Sequence, residues 1–261
     1  MAELPPPGPI ELLGIWAHPD DEAYLSAGLM RRTADAGGRV VCVHATVGEL
    51  GTSDPGAWPP ERLAPLRRAE LAEALRLAGA DEPHLLGLSD GACDELSDAE
   101  GAALLVPILK VLQPRRIVTF GPDGKTGHPD HRAVSRWTTA AWSQAAGSAE
   151  QPVELLYSTT TTAFVDRFAE VHDRLGVFPP GLPTTCPKDE LAVDVMLDEE
   201  ELDHKRQVLA AHASQTDELA ALMGEDVYRP WLEIEAFRAP GADDLAAVLG
   251  PDHELVAGAP S

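Results

Sequence analysis

Residues 10 to 22 read I-E-L-L-G-I-W-A-H-P-D-D-E. The apolar run over 10–17 is too short for a helix, and a Pro/Gly cluster before it and His-Pro after it bound it, so it reads as a buried strand. Residues 23–36 then have helical spacing. A strand that hands over to a helix through H-P-D is half of a βαβ unit, and α/β proteins do chemistry where strands end. His-Pro-Asp is written a second time at 128–130, again after an apolar run and before a helical stretch.

Outward from this stretch, strands and helices alternate. Residues 39–46 (RVVCVHAT) form a second strand, 47–60 a Gly- and Pro-rich loop, and 61–80 an amphipathic helix with Gly79 near its end. A short strand at 83–88, a helix at 98–112 capped by an Asp, a strand at 115–120 and a helix at 129–146 follow. The pattern predicts an α/β fold: a Rossmann-like, doubly wound, mostly parallel sheet with helices on both faces. A fifth strand at 152–159 follows, and a helix at 162–175, a Pro-rich loop at 178–188, a charged helix at 199–213 and a late strand at 231–237 form a smaller C-terminal α/β extension. The expected organisation is one domain over 1–261, with a core at about 10–160, the extension at about 161–240 and a loosely packed acidic tail at 241–261.

Composition narrows the function. The chain has 261 residues and a formal charge of −23, with 20 Lys and Arg against 43 Asp and Glu. Phosphate backbones and anionic membranes select clustered cations, so neither nucleic acid nor membrane is an expected partner. Three scattered cysteines, Cys42, Cys93 and Cys186, suggest no disulfide framework and no Cys-based metal site. The N-terminus carries no basic region before its short apolar run, and no stretch approaches membrane-spanning length, so a cytoplasmic protein is expected. G-P-D-G-K-T at 121–126 imitates a phosphate loop, but Thr119 stands where that loop needs its first glycine.

Proline biases the preceding residue to an extended conformation and suits the first position of a helix. His18 and His128 are therefore expected to be extended, with Pro19 and Pro129 opening helices. His18 can then meet Asp21, and His128 can meet His131. Imidazole and carboxylate suit zinc, which in catalytic sites takes three protein ligands and leaves one position to water. Four candidate donors exceed that number by one. Glu22 reads as an acid that complements the helix dipole, and His44, inside a strand, as a core or rim residue.

The motifs A-H-P-D-D-E (17–22), G-P-D-G-x-x-G-H-P-D-H (121–131), R-x-x-E (67–70) and H-x-S-Q (212–215) resemble those of the LmbE-like (PIG-L) zinc-dependent N-deacetylases, in the same order. The resemblance implies that His18, Asp21 and His131 bind one Zn²⁺ or another divalent ion, with Asp20 as general base. It implies that His128 faces the substrate carbonyl as oxyanion stabiliser or acid, oriented by Asp130. It also suggests Glu49, Arg67 and Asp90 as substrate contacts and the H-x-S-Q motif as a packing feature. The implied activity is removal of an N-acyl group, most often acetyl, from a small-molecule amide such as an N-acetylglucosaminyl compound. An amidase of mycothiol-type thiol conjugates and a non-catalytic, metal-bound sugar-binding module are the alternatives, and a homo-oligomer stays open.

Overall fold

The computed structural model describes residues 8–146 and 151–259. Its strands are β1 (Ile10–Trp16), β2 (Val40–His44), β3 (His84–Leu85), β4 (Pro114–Phe120), β5 (Glu154–Thr159), β6 (Val193–Met196) and β7 (Ile234–Arg238). They form one seven-stranded sheet in the order β3-β2-β1-β4-β5-β7-β6. The first five run parallel, whereas β7 is antiparallel to both β5 and β6. The doubly wound α/β fold expected from the alternation is the fold observed. The late strand begins at Ile234 rather than 231, and β6 was not anticipated, because a four-residue edge strand with two exposed side chains carries little apolar signal.

The helices are α1 (Asp21–Asp35), α2 (Pro60–Ala78), α3 (Asp98–Leu112), the short turn α4 (Gly124–Gly127), α5 (Pro129–Ala146), α6 (Thr162–Arg167), α7 (Ala169–Leu175), α8 (Glu199–Ala211), α9 (Ala213–Met223), α10 (Glu225–Trp231), α11 (Ala242–Leu249) and α12 (Glu254–Ala257). One group, α1, α2 and α8, packs together, and α3 packs against α5, giving two helical layers against the sheet. Helix α3 begins at Asp98, but its cap is Ser97, whose hydroxyl accepts from the Glu100 N–H in a capping box. The tail, expected to be loose, forms α11 with Leu245 buried and Asp244 paired to Arg238; residues 260–261 of that stretch lie outside the described residues.

The C-terminal extension is locked into α1. The N–H groups of Gly28 and Leu29 donate to the Glu235 carboxylate at 2.8 and 2.9 Å. The Tyr24 carbonyl, one turn before Gly28, accepts from Lys205 Nζ at 2.7 Å, and Lys205 pairs with Glu235 at 2.9 Å. Both ionic side chains are buried. A buried ion pair set against a helix satisfies its charges with backbone N–H and carbonyl groups. Position 28 must be glycine for this contact, since a Cβ there would lie 2.3 Å from Leu197 Cδ2 and 3.3 Å from both Glu235 oxygens.

Strand β1 leads to α1 and strand β4 to α5, and the two strands are neighbours from which the chain winds outward in opposite directions. The carboxyl ends of such a pair border a crevice. Both His-Pro-Asp segments lie there.

Candidate active site

The two His-Pro-Asp segments look alike in sequence and fold differently. In the second, Pro129 opens α5 as expected. In the first, α1 starts only at Asp21, and Asp20 before it adopts φ 101° and ψ −29°, a conformation that side-chain-bearing residues rarely adopt. His18 N–H donates to Asp21 Oδ2 at 2.8 Å, so the backbone turns tightly around the motif. Adjacent Asp20 and Asp21 are thereby separated in their partners. Asp20 faces Arg67 at 3.2 Å, and Asp21 faces His18 and His131.

His18 Nδ1 lies 3.1 Å from His131 Nε2, and the Asp21 carboxylate lies 3.7 Å from the former and 3.4 Å from the latter. Bonds of about 2.1 Å at tetrahedral angles separate ligand atoms by roughly 3.4 Å, so the two imidazole nitrogens stand near ligand spacing, with Asp21 beside them through a different oxygen for each: Oδ2 toward His18 and Oδ1 toward His131. The outer nitrogens are already committed. His131 Nδ1 donates to the Gly124 carbonyl at 3.0 Å, and His18 Nε2 meets Asp90 at 3.0 Å and Asp130 at 3.2 Å. This leaves the lone pairs of Nδ1 and Nε2 facing each other beside a carboxylate, an arrangement that calls for a cation between them.

Electrostatics agree. Burial opposes a charge on His18, but hydrogen bonds to Asp130 and Asp90 and the nearby Asp21 outweigh it and lift its pKa to about 10. Burial and the charge on His18 push His131 down to about 3. A proton shared from His18 to His131 fills the position that a metal ion would take, and metal binding displaces such protons. His18, His128 and His131 also bring ring nitrogens within 4.8 Å of one another, as do His18, Asp90 and Asp130 with their donor atoms. The Asp90 and Asp130 carboxylates, however, accept from the backbone N–H groups of Leu50, Gly91 and Cys93 and act as acceptors for His18.

The Asp130 carboxylate therefore lies against His18 and not, as expected, against His128. The part of Asp130 that touches His128 is its backbone N–H, which donates to Nδ1 at 3.2 Å. That bond leaves His128 Nε2 as the N–H side of a neutral ring, and it has no partner among the described residues. Burial and the charges of His18 and His131 hold the His128 pKa below its ordinary value.

Asp20 is held from three sides. Its N–H donates to Glu22 Oε2 at 3.0 Å, and Arg67 binds its carboxylate, the Pro19 carbonyl at 2.5 Å and the Gly48 carbonyl at 2.6 Å. Gly48 has φ 65°, and a Cβ on it would fall 2.0 Å from Arg67 Nη1, so the clamp requires glycine. Burial lifts the Asp20 carboxyl to about 6 against the pull of Arg67, into the range of a base that works near neutrality. Of the three expected substrate contacts, Arg67 and Asp90 line the cavity, Arg67 while forming this clamp and Asp90 while bonded to His18 and Leu50. Glu49 supports the Asp90 N–H at 3.0 Å and does not line the cavity.

Glu22 overturns its reading as a dipole-complementing acid. It is fully buried and joins His44 at 2.9 Å to His212 at 2.6 Å while accepting from the Asp20 backbone. Burial works against its charge, yet His212 and His44 hold its carboxyl well below the usual range. His212 opens the H-x-S-Q motif. Ser214 bonds Glu70 through N–H and hydroxyl, and Gln215 donates to the Gly51 carbonyl, so both downstream motifs brace the loop and helix that carry Arg67. Lys125 was also unanticipated: it lines the cavity with φ 63°, donates to the Thr159 carbonyl at 2.7 Å and is lowered by burial to about 8.

These groups open on a cavity of about 460 Å³. Two imidazole nitrogens beside a carboxylate, a second carboxylate of raised pKa and a third imidazole of lowered pKa are groups of the kind that metal-assisted hydrolysis of a carbonyl compound uses. Residues 13–142 match the PIG-L family, GlcNAc-PI de-N-acetylase. The chain is 33% identical over 266 residues to the 1D-myo-inositol 2-acetamido-2-deoxy-alpha-D-glucopyranoside deacetylase of Rhodococcus jostii (strain RHA1), covering 87% of this chain and 90% of that one. The N,N'-diacetylchitobiose deacetylase of Pyrococcus horikoshii shares the fold at a TM-score of 0.61 and 22% identity, over 94% of this chain and 88% of that chain. So does the 4-carboxy-2-hydroxymuconate hydratase of Pseudomonas putida KT2440, at a TM-score of 0.57 and 16% identity, over 88% and 96%. One fold thus hosts different chemistries, and sequence relatedness distinguishes them. The chain belongs to the PIG-L (LmbE-like) family and is an N-deacetylase, a hydrolase of amide bonds.

Proposed function

We propose that this chain is a zinc-dependent deacetylase that removes the N-acetyl group of a small N-acetylglucosaminyl compound, with an N-acetylglucosaminyl inositol of the kind named for its relatives as the leading substrate. The observation that carries the metal is the pair of imidazole nitrogens 3.1 Å apart beside Asp21. His18, Asp21 and His131 would hold the ion, which when bound supplies Lewis acidity to a water molecule and to the amide carbonyl.

The chain's own groups do the rest. Asp20 accepts the proton of the attacking water, and its raised pKa lets it pass that proton to the departing amine. His128 offers Nε2–H to the oxyanion of the tetrahedral intermediate; its neutrality suits a hydrogen-bond donor better than an acid. Asp130 secures both histidines, His18 through its carboxylate and His128 through its N–H. Arg67 and Glu22 fix Asp20 rather than the substrate.

No helix among the described residues is long and apolar enough to cross a membrane, and a cytoplasmic enzyme acting on a small amino-sugar amide is the reading we adopt. The test is release of free amine from 1D-myo-inositol 2-acetamido-2-deoxy-α-D-glucopyranoside by protein stripped of metal and then resupplied with Zn²⁺. Zinc-restored turnover supports the reading. Equal turnover without metal, or none with it, ends it.

A further inference from the structure

Among the described residues, one lysine and one arginine line the cavity, Lys125 and Arg67. Arg67 already faces the Asp20 carboxylate and two carbonyls. Lys125 faces no carboxylate: its Nζ donates to the Thr159 carbonyl at 2.7 Å and forms no ion pair among the described residues. The acid closest to it in sequence, Asp123, is engaged elsewhere, since Oδ1 accepts from the Lys125 backbone N–H and Oδ2 from the Thr184 N–H. Lys205 makes the contrast. Its ammonium has the Glu235 carboxylate at 2.9 Å in addition to a carbonyl, whereas Lys125 has a carbonyl alone. An ammonium carries three N–H donors, so part of the Lys125 donor capacity stays without a protein acceptor.

The backbone holds Lys125 at φ 63° and ψ −56°, a conformation that side-chain-bearing residues rarely adopt. Gly124 and Gly127 on either side also have positive φ, so the turn places glycine at two such positions and lysine at a third. Conformations of this kind persist where the surroundings impose them, and they cluster at functional sites. Here the turn is fastened to a candidate metal ligand. The Gly124 carbonyl accepts from His131 Nδ1 at 3.0 Å, and Thr126 Oγ1 lies 3.5 Å from the same nitrogen. Burial lowers the Lys125 pKa to about 8, which leaves the side chain charged at neutral pH.

Deacetylation changes the charge in this cavity. Water adds to the carbonyl carbon of a neutral amide and the C–N bond breaks; the nitrogen leaves protonated as an ammonium and the acyl group leaves as a carboxylate. Asp20, Asp21 and Asp90 line the same cavity and repel that carboxylate. We infer that Lys125 forms a carboxylate subsite, which takes the acyl product as it leaves the reaction centre. The inference rests on the N-deacetylase reading and adds a product-binding residue to it. A neutral amide offers the ammonium no charge to meet, and the acetate made from it offers one, so the charge-assisted hydrogen bond forms with the product.

The experiment titrates the metal-free full chain and its Lys125→Met variant with acetate, followed by NMR line broadening of the acetate methyl signal. Acetamide, the neutral isostere, is titrated in parallel. Without zinc, no acetate is held by the metal. The expected result is saturable acetate binding by the parent, weakened about ten-fold or more in Lys125→Met and retained in Lys125→Arg. In the zinc-loaded protein, inhibition of amide cleavage by acetate should weaken by a similar factor in Lys125→Met. Lys125→Gly, which suits φ 63°, serves if Lys125→Met does not fold. Equal acetate binding by parent and variant, no binding by the parent, or acetamide binding as well as acetate overturns the subsite. Acetate binding that depends on Lys125 in a protein that cleaves no amide supports the subsite and counts against the deacetylase reading instead.

Discussion

Glu22 and His212, 190 residues apart in the chain, meet at 2.6 Å in a fully buried hydrogen bond directly behind the backbone of Asp20. Removing one member of a buried ion pair leaves the other uncompensated, at about 3–5 kcal/mol. Glu22→Gln is therefore expected to lower Tm markedly at neutral pH, read by differential scanning calorimetry.

The same pair sets the acid response. Because the folded Glu22 carboxyl lies below its ordinary value, its stabilisation is complete above about 4.5 and drains away as pH falls below that. His212 is raised by Glu22 against the effect of burial, so its share is present below about 6.5 and fades as pH rises beyond it. Between pH 5 and 3 the parent should lose stability faster than Glu22→Gln. Parallel Tm curves for the two proteins over that range would contradict the assignment.

The near-identity of the two His-Pro-Asp motifs allows a sharp contrast between their histidines. Replacing His18, Asp21 or His131 by Ala is expected to remove bound zinc, measured by elemental analysis of the dialysed protein. His128→Ala should keep the metal and lose about 10²- to 10³-fold in kcat, the usual cost of an oxyanion donor. Metal loss in His128→Ala would instead point to a closed site built from three histidines.

Arg67→Lys keeps the charge and loses the fork that spans Pro19, Gly48 and Asp20. The expected change is a fall of roughly 10- to 100-fold in kcat with KM nearly unchanged, since misplacing a base costs chemistry more than binding. A rise in KM alone would return Arg67 to the substrate contacts.

The Lys205–Glu235 pair gives a fifth test. Each single replacement, Lys205→Met or Glu235→Gln, should cost about 3–5 kcal/mol in urea unfolding, and the double replacement clearly less than the sum. Additive costs would show that the two side chains do not act as a unit.

Much of this molecule is legible in the sequence because two signals are strong there. Short apolar and β-branched stretches mark β1, β2, β4 and β5, and proline places His128 at the start of α5. The partners of Glu22 were hidden, since an acid in the first turn of a helix has a sufficient local explanation and His44 and His212 become neighbours only on folding. Asp130 is a related case: sequence distance points to His128, two residues away, which its N–H does meet, whereas the carboxylate reaches across the crevice to His18. The turn at Asp20 was likewise unreadable. Proline biases the residue before it, and nothing in H-P-D-D-E announces a positive φ one residue after it.

The splice between α1 and the C-terminal strands also fixes the order in which the enzyme comes into being. Gly28 and Glu235 are 207 positions apart, so α1 gains this brace only when residue 235 of 261 has been synthesised. Closing so long a loop slows folding more than it weakens the fold. A nascent chain stopped short of β7 would carry the His-Pro-Asp segments without the brace on the helix beside them, so catalytic competence should arrive late in translation.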